Sequence, residues 1–288
     1  QYKYGIKLHV AHFNHNLRKT SARDQKFVEN FAKKLNLKFS SKTWNNAQSI
    51  KKGSVEEKAR EKRFDFFIKL AKKSKANSVM LAHNENDLAE TVLMRILRGA
   101  GLQGLSGILS KRTIGGCTFI RPLLNVKRKE IESYIKKNKL SNIEDPTNKQ
   151  KKFFRNKIRH DLLPLLKNKY NKNIEDVLLG ICENSSADYL YIEDKARKVL
   201  NKISSFKINT KNKAIRIDLK SLIKQPPAIK KMVLRLSILR IKGSMNAITL
   251  SHIKEIESLM QVRPDKSVVS LPKNISVEKS SGTLTICC

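Results

Sequence analysis

The sequence predicts an α/β fold: an open parallel sheet with helices on its faces, then a helical connector and a small α+β second domain. Three observations predict it. Short apolar runs alternate with helical windows through the first half of the chain, the order that parallel strands joined by crossover helices require. From Ser78 to Gly107 a short apolar strand leads into a polar elbow holding His83, Asp87 and Glu90, and then into an amphipathic helix. In such half-units the reactive groups lie outside the strand's carboxyl end. From about Phe154 the strand signals stop, and they resume near Ala214, which divides the chain at 1–153, 154–213 and 214–288.

Taken in order, Ile6 to Ala11 reads as a strand and Ala22 to Leu35 as a helix, with Phe27, Val28, Phe31 and Leu35 at helical spacing. Leu37 to Thr43 is a second strand. A helix follows from Val55 to about Ala71, opened by a capping box of Ser54 with Glu57 and buried through Phe64, Phe67, Ile68 and Ala71. Val79 to Ala82 and Phe119 to Leu123 are further strands, and Val126 to Lys137 is a helix. The connector is helical to about Ile203. The last domain begins with a strand at Ile215 to Leu219, continues through a helix after Pro226-Pro227 and another at Leu250 to Met260, and closes with strands around Val268 and Leu284.

Composition narrows the function classes. The chain of 288 residues carries 60 Lys+Arg against 25 Asp+Glu, a net charge of +35. An excess of that size implies a polyanionic partner, nucleic acid first. Nine basic residues face one acid, Asp161, between Thr147 and Asn173, and fifteen face one acid, Asp218, between Lys195 and Lys242. Phe153, Phe154 and Tyr170 interleave with the first cluster, where bases can stack. A solvated helix face with no ligand is the bland alternative. No run reaches the ~20 apolar residues of a membrane span and no signal-peptide core opens the chain, so a cytoplasmic protein without membrane contact is expected. Cys117, Cys182, Cys287 and Cys288 form no C-x-x-C pair and read as free thiols of a reducing compartment. The start at Gln1, almost inside a strand, predicts that part of the protein precedes it.

Four groups of residues carry candidate chemistry. His83, Asp87 and Glu90 at a strand's carboxyl end can bind Mg²⁺, orient a nucleophile or take its proton; Asp87 and Glu90 also fit a plain D-x-x-E capping box. His9, His12 and His15 resemble a metal site, but residues three apart on a strand face opposite ways, so His12 to His15 read instead as a turn that can frame a purine. Arg60 and Arg63 either bind an anion or pair with Glu56 and Glu57 along their helix. Arg155 and Arg159, four apart beside Asn156 and His160, can hold a phosphate in a fork or simply end a basic helix.

These blocks together resemble the tRNA(Ile)-lysidine synthase family of the PP-loop (N-type ATP pyrophosphatase) superfamily. The resemblance is carried by HVAHFNHNLR (9 to 18), SVEEKAREKRFDFF (54 to 67), LAHNENDLAETVLMRILRGAGLQGLSG (81 to 107), IRPLLNVKRKEIESYI (120 to 135), EDPTN (144 to 148) and RNKIRHDLLPLL (155 to 166). It implies an adenine-nucleotide α-hydrolase-like sheet and an ATP-dependent ligase. Such an enzyme adenylates the C2 oxygen of the wobble cytidine in a CAU-anticodon tRNA(Ile), releasing pyrophosphate, and then lets the amine of free lysine attack C2 and displace AMP. The resemblance places Asp87, Glu90 and His83 in catalysis, Asp87 also at a Mg²⁺, and His12, Asn14, His15 and Arg60 on ATP. It places Arg18, Arg98, Arg155, Asn156, Arg159 and His160 on tRNA or phosphates. The cofactors implied are ATP and Mg²⁺, the partners tRNA(Ile) and L-lysine, with a homodimer admitted.

The departures are specific. The phosphate loop SGGxDS occurs nowhere in these residues, which predicts a sheet lacking its first strand and a chain that does not turn over ATP. Asn86 stands where the family often carries Asp, and Phe64 where it often carries Tyr. A further C-terminal domain of longer members is expected to be absent. A thiolation enzyme of the same superfamily would need a C-x-x-C, which is missing; a non-catalytic basic RNA-binding remnant is the other alternative.

Overall fold

The computed structural model describes residues 5–18, 20–45, 55–143, 154–208 and 213–288. The expected cap at Ser54, the 144–148 turn, Lys149, Lys151, Lys152 and Phe153 lie outside them. The described residues divide into two compact units, one running up to Gly99 and again over Gly107–Gly180, the other formed by Ala100–Ser106 and Ile181–Cys288.

The first unit is α/β. Strand β1 (His9–Asn14) pairs in parallel with β2 (Lys38–Thr43) across helix α1 (Ser21–Lys34), in the register His9 to Lys38. Helix α2 (Val55–Lys73) leads to β3 (Ser78–Met80), which pairs in parallel with β5 (Cys117–Ile120). Between them lie α3 (Glu85–Ile96), α4 (Leu102–Leu105, part of the second unit) and β4 (Lys111–Ile114). Phe64, Phe67 and Ala71 of α2 pack with Cys117 and Phe119 of β5, and Ala11 of β1, Val79 and Ile114 close the same core. One helix thus rests on strands of both groups.

Several expectations change here. In place of one open sheet, β1–β2 and β3-β5-β4 hydrogen-bond as separate sheets. β1 starts and ends three residues later than expected, so His12 and Asn14 lie in the strand and only His15 follows it; the Trp44 N–H closes on the Asn14 carbonyl and keeps the end paired. β4 is an unforeseen antiparallel strand. It returns into β5 through Gly115-Gly116, both at positive φ (57° and 77°), the backbone that a two-residue hairpin turn demands.

Helix α5 (Arg128–Lys137) follows β5. Then α6 (Phe154–Lys157) runs through a π-helical turn, Ile158–Leu162, into α7 (Leu163–Lys169), and α8 (Ile174–Ile203) contains the boundary between units.

The second unit is an α+β layer built on a five-stranded antiparallel sheet, in the order β6 (Ser204–Ile208), β7 (Lys213–Asp218), β10 (Thr283–Cys287), β9 (Ile275–Ser280), β8 (Val268–Leu271). β6 falls just past the expected end of the helical connector at Ile203, in a stretch where no strand was expected; α8 passes directly into it, and it forms by pairing with β7. Helices α9 (Leu219–Ile223), α10 (Pro227–Lys242) and α11 (Leu250–Gln261) cover one face. Pro227 starts α10 without losing a hydrogen bond, and Gly243, at φ 77°, ends it. The core is apolar apart from the buried Ser237, whose hydroxyl donates to the Val233 carbonyl: Ile215, Ile217, Leu222, Leu234, Ile238, Ile253, Ile256, Val277 and Leu284 are buried together.

Candidate functional site

The site is built where β3 and β5 end. The Leu81 N–H donates to the Ile120 carbonyl at 2.9 Å, so the residues that follow each strand, up to His83 on one side and Arg121 on the other, emerge side by side. Asn84 then caps α3. Its Oδ1 accepts from the Asp87 N–H at 3.0 Å, and Asp87 Oδ2 accepts from the Asn84 N–H at 3.1 Å. The reciprocal box is therefore Asn84 with Asp87, one turn before the expected Asp87 and Glu90, because the helix already begins at Glu85.

The box leaves Asp87 Oδ1 for other partners and puts Glu90 one turn further along the same face. Arg155 in α6 and Arg159 in the π-turn converge on both carboxylates. Arg155 donates from Nε to Glu90 Oε2 at 2.7 Å and from Nη2 to Asp87 Oδ1 at 2.9 Å. Arg159 donates from Nε to Glu90 Oε1 at 2.5 Å and from Nη2 to Glu90 Oε2 at 3.0 Å, with Asp87 Oδ1 at 3.5 Å. The two arginines share a face, as their spacing requires, and that face is turned to carboxylates. Glu90 is 2% exposed, whereas Asp87 keeps 20% of its side chain exposed. Two positive and two negative groups balance, which offsets the cost of burying Glu90.

Mg²⁺ at Asp87 does not fit this arrangement. All four carboxylate oxygens already accept hydrogen bonds, which leaves no bare pair of oxygens for Mg²⁺ to coordinate, although the part-exposed Asp87 Oδ1 keeps a lone pair that a further N–H donor can use. Among the described residues no three His, Cys, Asp or Glu side chains are grouped to hold a metal. The histidines of β1 agree: His9 bonds Ser40 Oγ at 2.9 Å across to β2, and His12, three residues on, faces the other way.

A second cluster is cationic and lacks acceptors. His15 Nδ1, Arg63 Nε, His83 Nδ1 and Arg121 Nε are buried with no hydrogen-bond partner among the described residues. Burial pushes His83 down to about 4, with Arg121 beside it acting in the same sense. His15 is also pushed down to about 4, by burial and then by Arg63. Both imidazoles are neutral at pH 7. His12 shifts the same way through burial. Arg63 and Arg121 are themselves disfavoured as cations, by burial and then by neighbouring Arg60. Arg121 had no place among the sequence candidates; the signal was an arginine set directly after the apolar run Phe119, Ile120.

The remaining candidates scatter. Asn14 is buried and its amide serves the fold, donating to the Ser21 carbonyl and Gln25 while Oδ1 accepts from the Asn16 N–H. Arg18 pairs with Asp24 at 3.1 Å, and the exposed Arg60 stacks 5.1 Å from the Phe64 ring. Arg98 is exposed with its guanidinium 5.1 Å from the Phe154 ring. Asn156 is buried and His160 exposed. Asn86 donates to Glu175 Oε1 and accepts from the Arg128 N–H, both at 3.0 Å, joining the elbow to the starts of α5 and α8. Parts of the basic surface are neutralised locally, Lys167 by Glu175, Arg197 by Glu193 and Lys198 by Asp194, while Tyr170 stands 77% exposed. All four cysteines are free, and among the described residues no helix is long and apolar enough to cross a membrane.

Comparison with known proteins adds the following. Residues 1–166 match the PP-loop domain model. The chain is similar to the tRNA(Ile)-lysidine synthase of Clostridioides difficile (strain 630), 36% identical over 98% of this chain and 61% of that protein. It is also similar to that of Clostridium tetani (strain Massachusetts / E88), 34% identical over 99% and 60%. The chain thus spans about 60% of the length of the curated relatives it matches. Among solved structures, the U34-tRNA thiolase NcsA from Methanococcus maripaludis aligns with a TM-score of 0.48 at 15% identity, over 62% of each chain. With more than half of its length matched by that model, the chain belongs to the PP-loop domain family.

Proposed function

We propose that this chain is part of a tRNA(Ile)-lysidine synthase, which uses ATP to join free lysine to C2 of the wobble cytidine of CAU-anticodon tRNA(Ile). The observation that carries the reading is the near end-to-end similarity to proteins of that name, 36% and 34% identical over 98% and 99% of the chain. The site is compatible with it at each point where this chain's own residues can act.

On this reading, the ATP phosphates meet the end of β1 and the side of α2, where His15 and Arg63 hold nitrogens unpartnered among the described residues and His12 and Arg60 lie near. Buried donors of this kind strengthen on a phosphate because no water competes. Asp87 receives the ammonium of lysine, since it alone of the two carboxylates is open to solvent; Glu90 acts from behind by holding Arg155 and Arg159. His83, neutral at pH 7, is able to take the proton that the attacking amine must lose. ATP and its Mg²⁺ supply the leaving group and its charge neutralisation when bound, and no step here is assigned to the metal. The +35 charge, with exposed Tyr170, Arg98 and His160, suits a tRNA backbone, and a cytoplasmic location follows from that partner.

The test is to incubate the natural gene product containing this sequence with ATP, lysine and a CAU-anticodon tRNA(Ile) transcript, and to weigh the nucleosides after digestion. A lysine adduct on cytidine that disappears with Asp87→Asn is expected. A tRNA that is bound but never modified would turn the assignment toward a non-catalytic RNA-binding protein.

A further inference from the structure

Among the described residues the first unit contains a buried positive charge with no carboxylate against it. Arg121 is only 6% exposed, yet it makes one side-chain hydrogen bond, from Nη1 to the Leu109 carbonyl at 2.6 Å, and its Nε is buried without a partner. No carboxylate pairs with it among the described residues; the charged neighbours acting on it are Arg60 and Arg112, of the same sign. A buried guanidinium without a counter-charge is strongly unfavourable, and folded proteins retain one where something outside the chain completes it. Its position agrees. Arg121 follows the carboxyl end of β5, and the Leu81 to Ile120 hydrogen bond brings the end of β3, with His83 and its own unpartnered Nδ1, alongside. Two buried nitrogens without hydrogen-bond partners among the described residues therefore lie near one another at the carboxyl ends of adjacent parallel strands, the place where α/β sheets bind ligands.

We propose that Arg121, with His83 beside it, is an oxyanion-binding pair that receives a phosphate or carboxylate oxygen of the bound substrate. The pair rests on the proposed function only for the source of that oxygen, which is either a nucleotide phosphate or the carboxylate of free lysine. Its neighbour Asp87 offers the opposite charge, so a zwitterion can be gripped at both ends. Bidentate geometry favours arginine over lysine at such a point.

The experiment is calorimetric titration of the protein and of its Arg121→Met and Arg121→Lys variants with three probes: inorganic pyrophosphate, lysine, and cadaverine, which is lysine without its carboxylate. In the Met variant, either pyrophosphate affinity or the preference for lysine over cadaverine is expected to fall about tenfold or more, with partial recovery in the Lys variant. The first loss identifies a phosphate and the second a carboxylate. Melting of the ligand-free Met variant is expected at or above the wild-type temperature, because an uncompensated cation has been removed. Unchanged affinities for all three probes, or no binding by the wild type, would overturn the assignment. So would a lower melting temperature with affinity intact, which would reduce Arg121 to a clip on Leu109. Loss of pyrophosphate binding in a protein that never forms lysidine would instead count against the proposed function and leave the anion site standing.

Discussion

The two units bury opposite kinds of chemistry. In the second, the interior is Ile, Leu and Val from a five-stranded sheet and its helices, with little polar to satisfy. In the first, Glu90 at 2% exposure and Arg121 at 6% are buried, and four buried side-chain nitrogens, of His15, Arg63, His83 and Arg121, have no hydrogen-bond partner among the described residues. The difference separates a unit stabilised by area removed from water from one whose stability is spent on holding charges in place.

The contrast is most exposed to test at Glu90. Replacing it with Ala leaves two guanidiniums facing one carboxylate in a buried site, an expected loss of about 3–5 kcal/mol. Urea denaturation would measure it, and a cycle with Arg159→Ala should recover much of the loss, since the second change removes the stranded partner. Leu234→Ala probes the other unit. It is fully buried, so a cavity penalty of about 2–5 kcal/mol is expected, with no rescue by any polar change. If Leu234→Ala instead lowered ligand affinity at the first unit while sparing stability, the division of labour would be wrong. A smaller effect belongs to Asn84: Asn84→Ala removes the reciprocal cap and should cost about 1 kcal/mol, with Asn84→Asp nearly neutral by the same assay.

A further expected effect is a slope. His83 and His15 sit near 4 in the folded chain against an ordinary 6.5, so between those values the unfolded chain binds more protons. Their contribution is complete above pH 6.5 and is lost as pH falls toward 4. His83→Gln should flatten the fall in melting temperature over that window, and added pyrophosphate should flatten it too by favouring the protonated rings.

What was legible in the sequence was local. The strand, elbow and helix around His83, Asp87 and Glu90 are written in one continuous segment, and so is the helix after Pro226-Pro227, because periodicity and capping act within a few residues. Asn84 and Asp87 carry a capping signal three residues apart, and Gly115-Gly116 carries a hairpin signal, so both features are also written within a few residues. Arg155 and Arg159 differ in kind. Their partners lie 65 to 72 residues away, and nothing in the local sequence says that a basic helix will close on an acidic one. β6 was hidden for another reason: Ser204–Ile208 has weak alternation and owes its strand state to β7 beside it.

The Asn86 amide gives a proton to Glu175 and takes one from the Arg128 backbone. Aspartate can do the second but not the first, and would set two carboxylates against each other. Positions 86 and 175 therefore form a unit of descent: a relative that regains Asp at 86 should have exchanged its acid at 175 for a donor, and a graft that moves one without the other should part the elbow from α8.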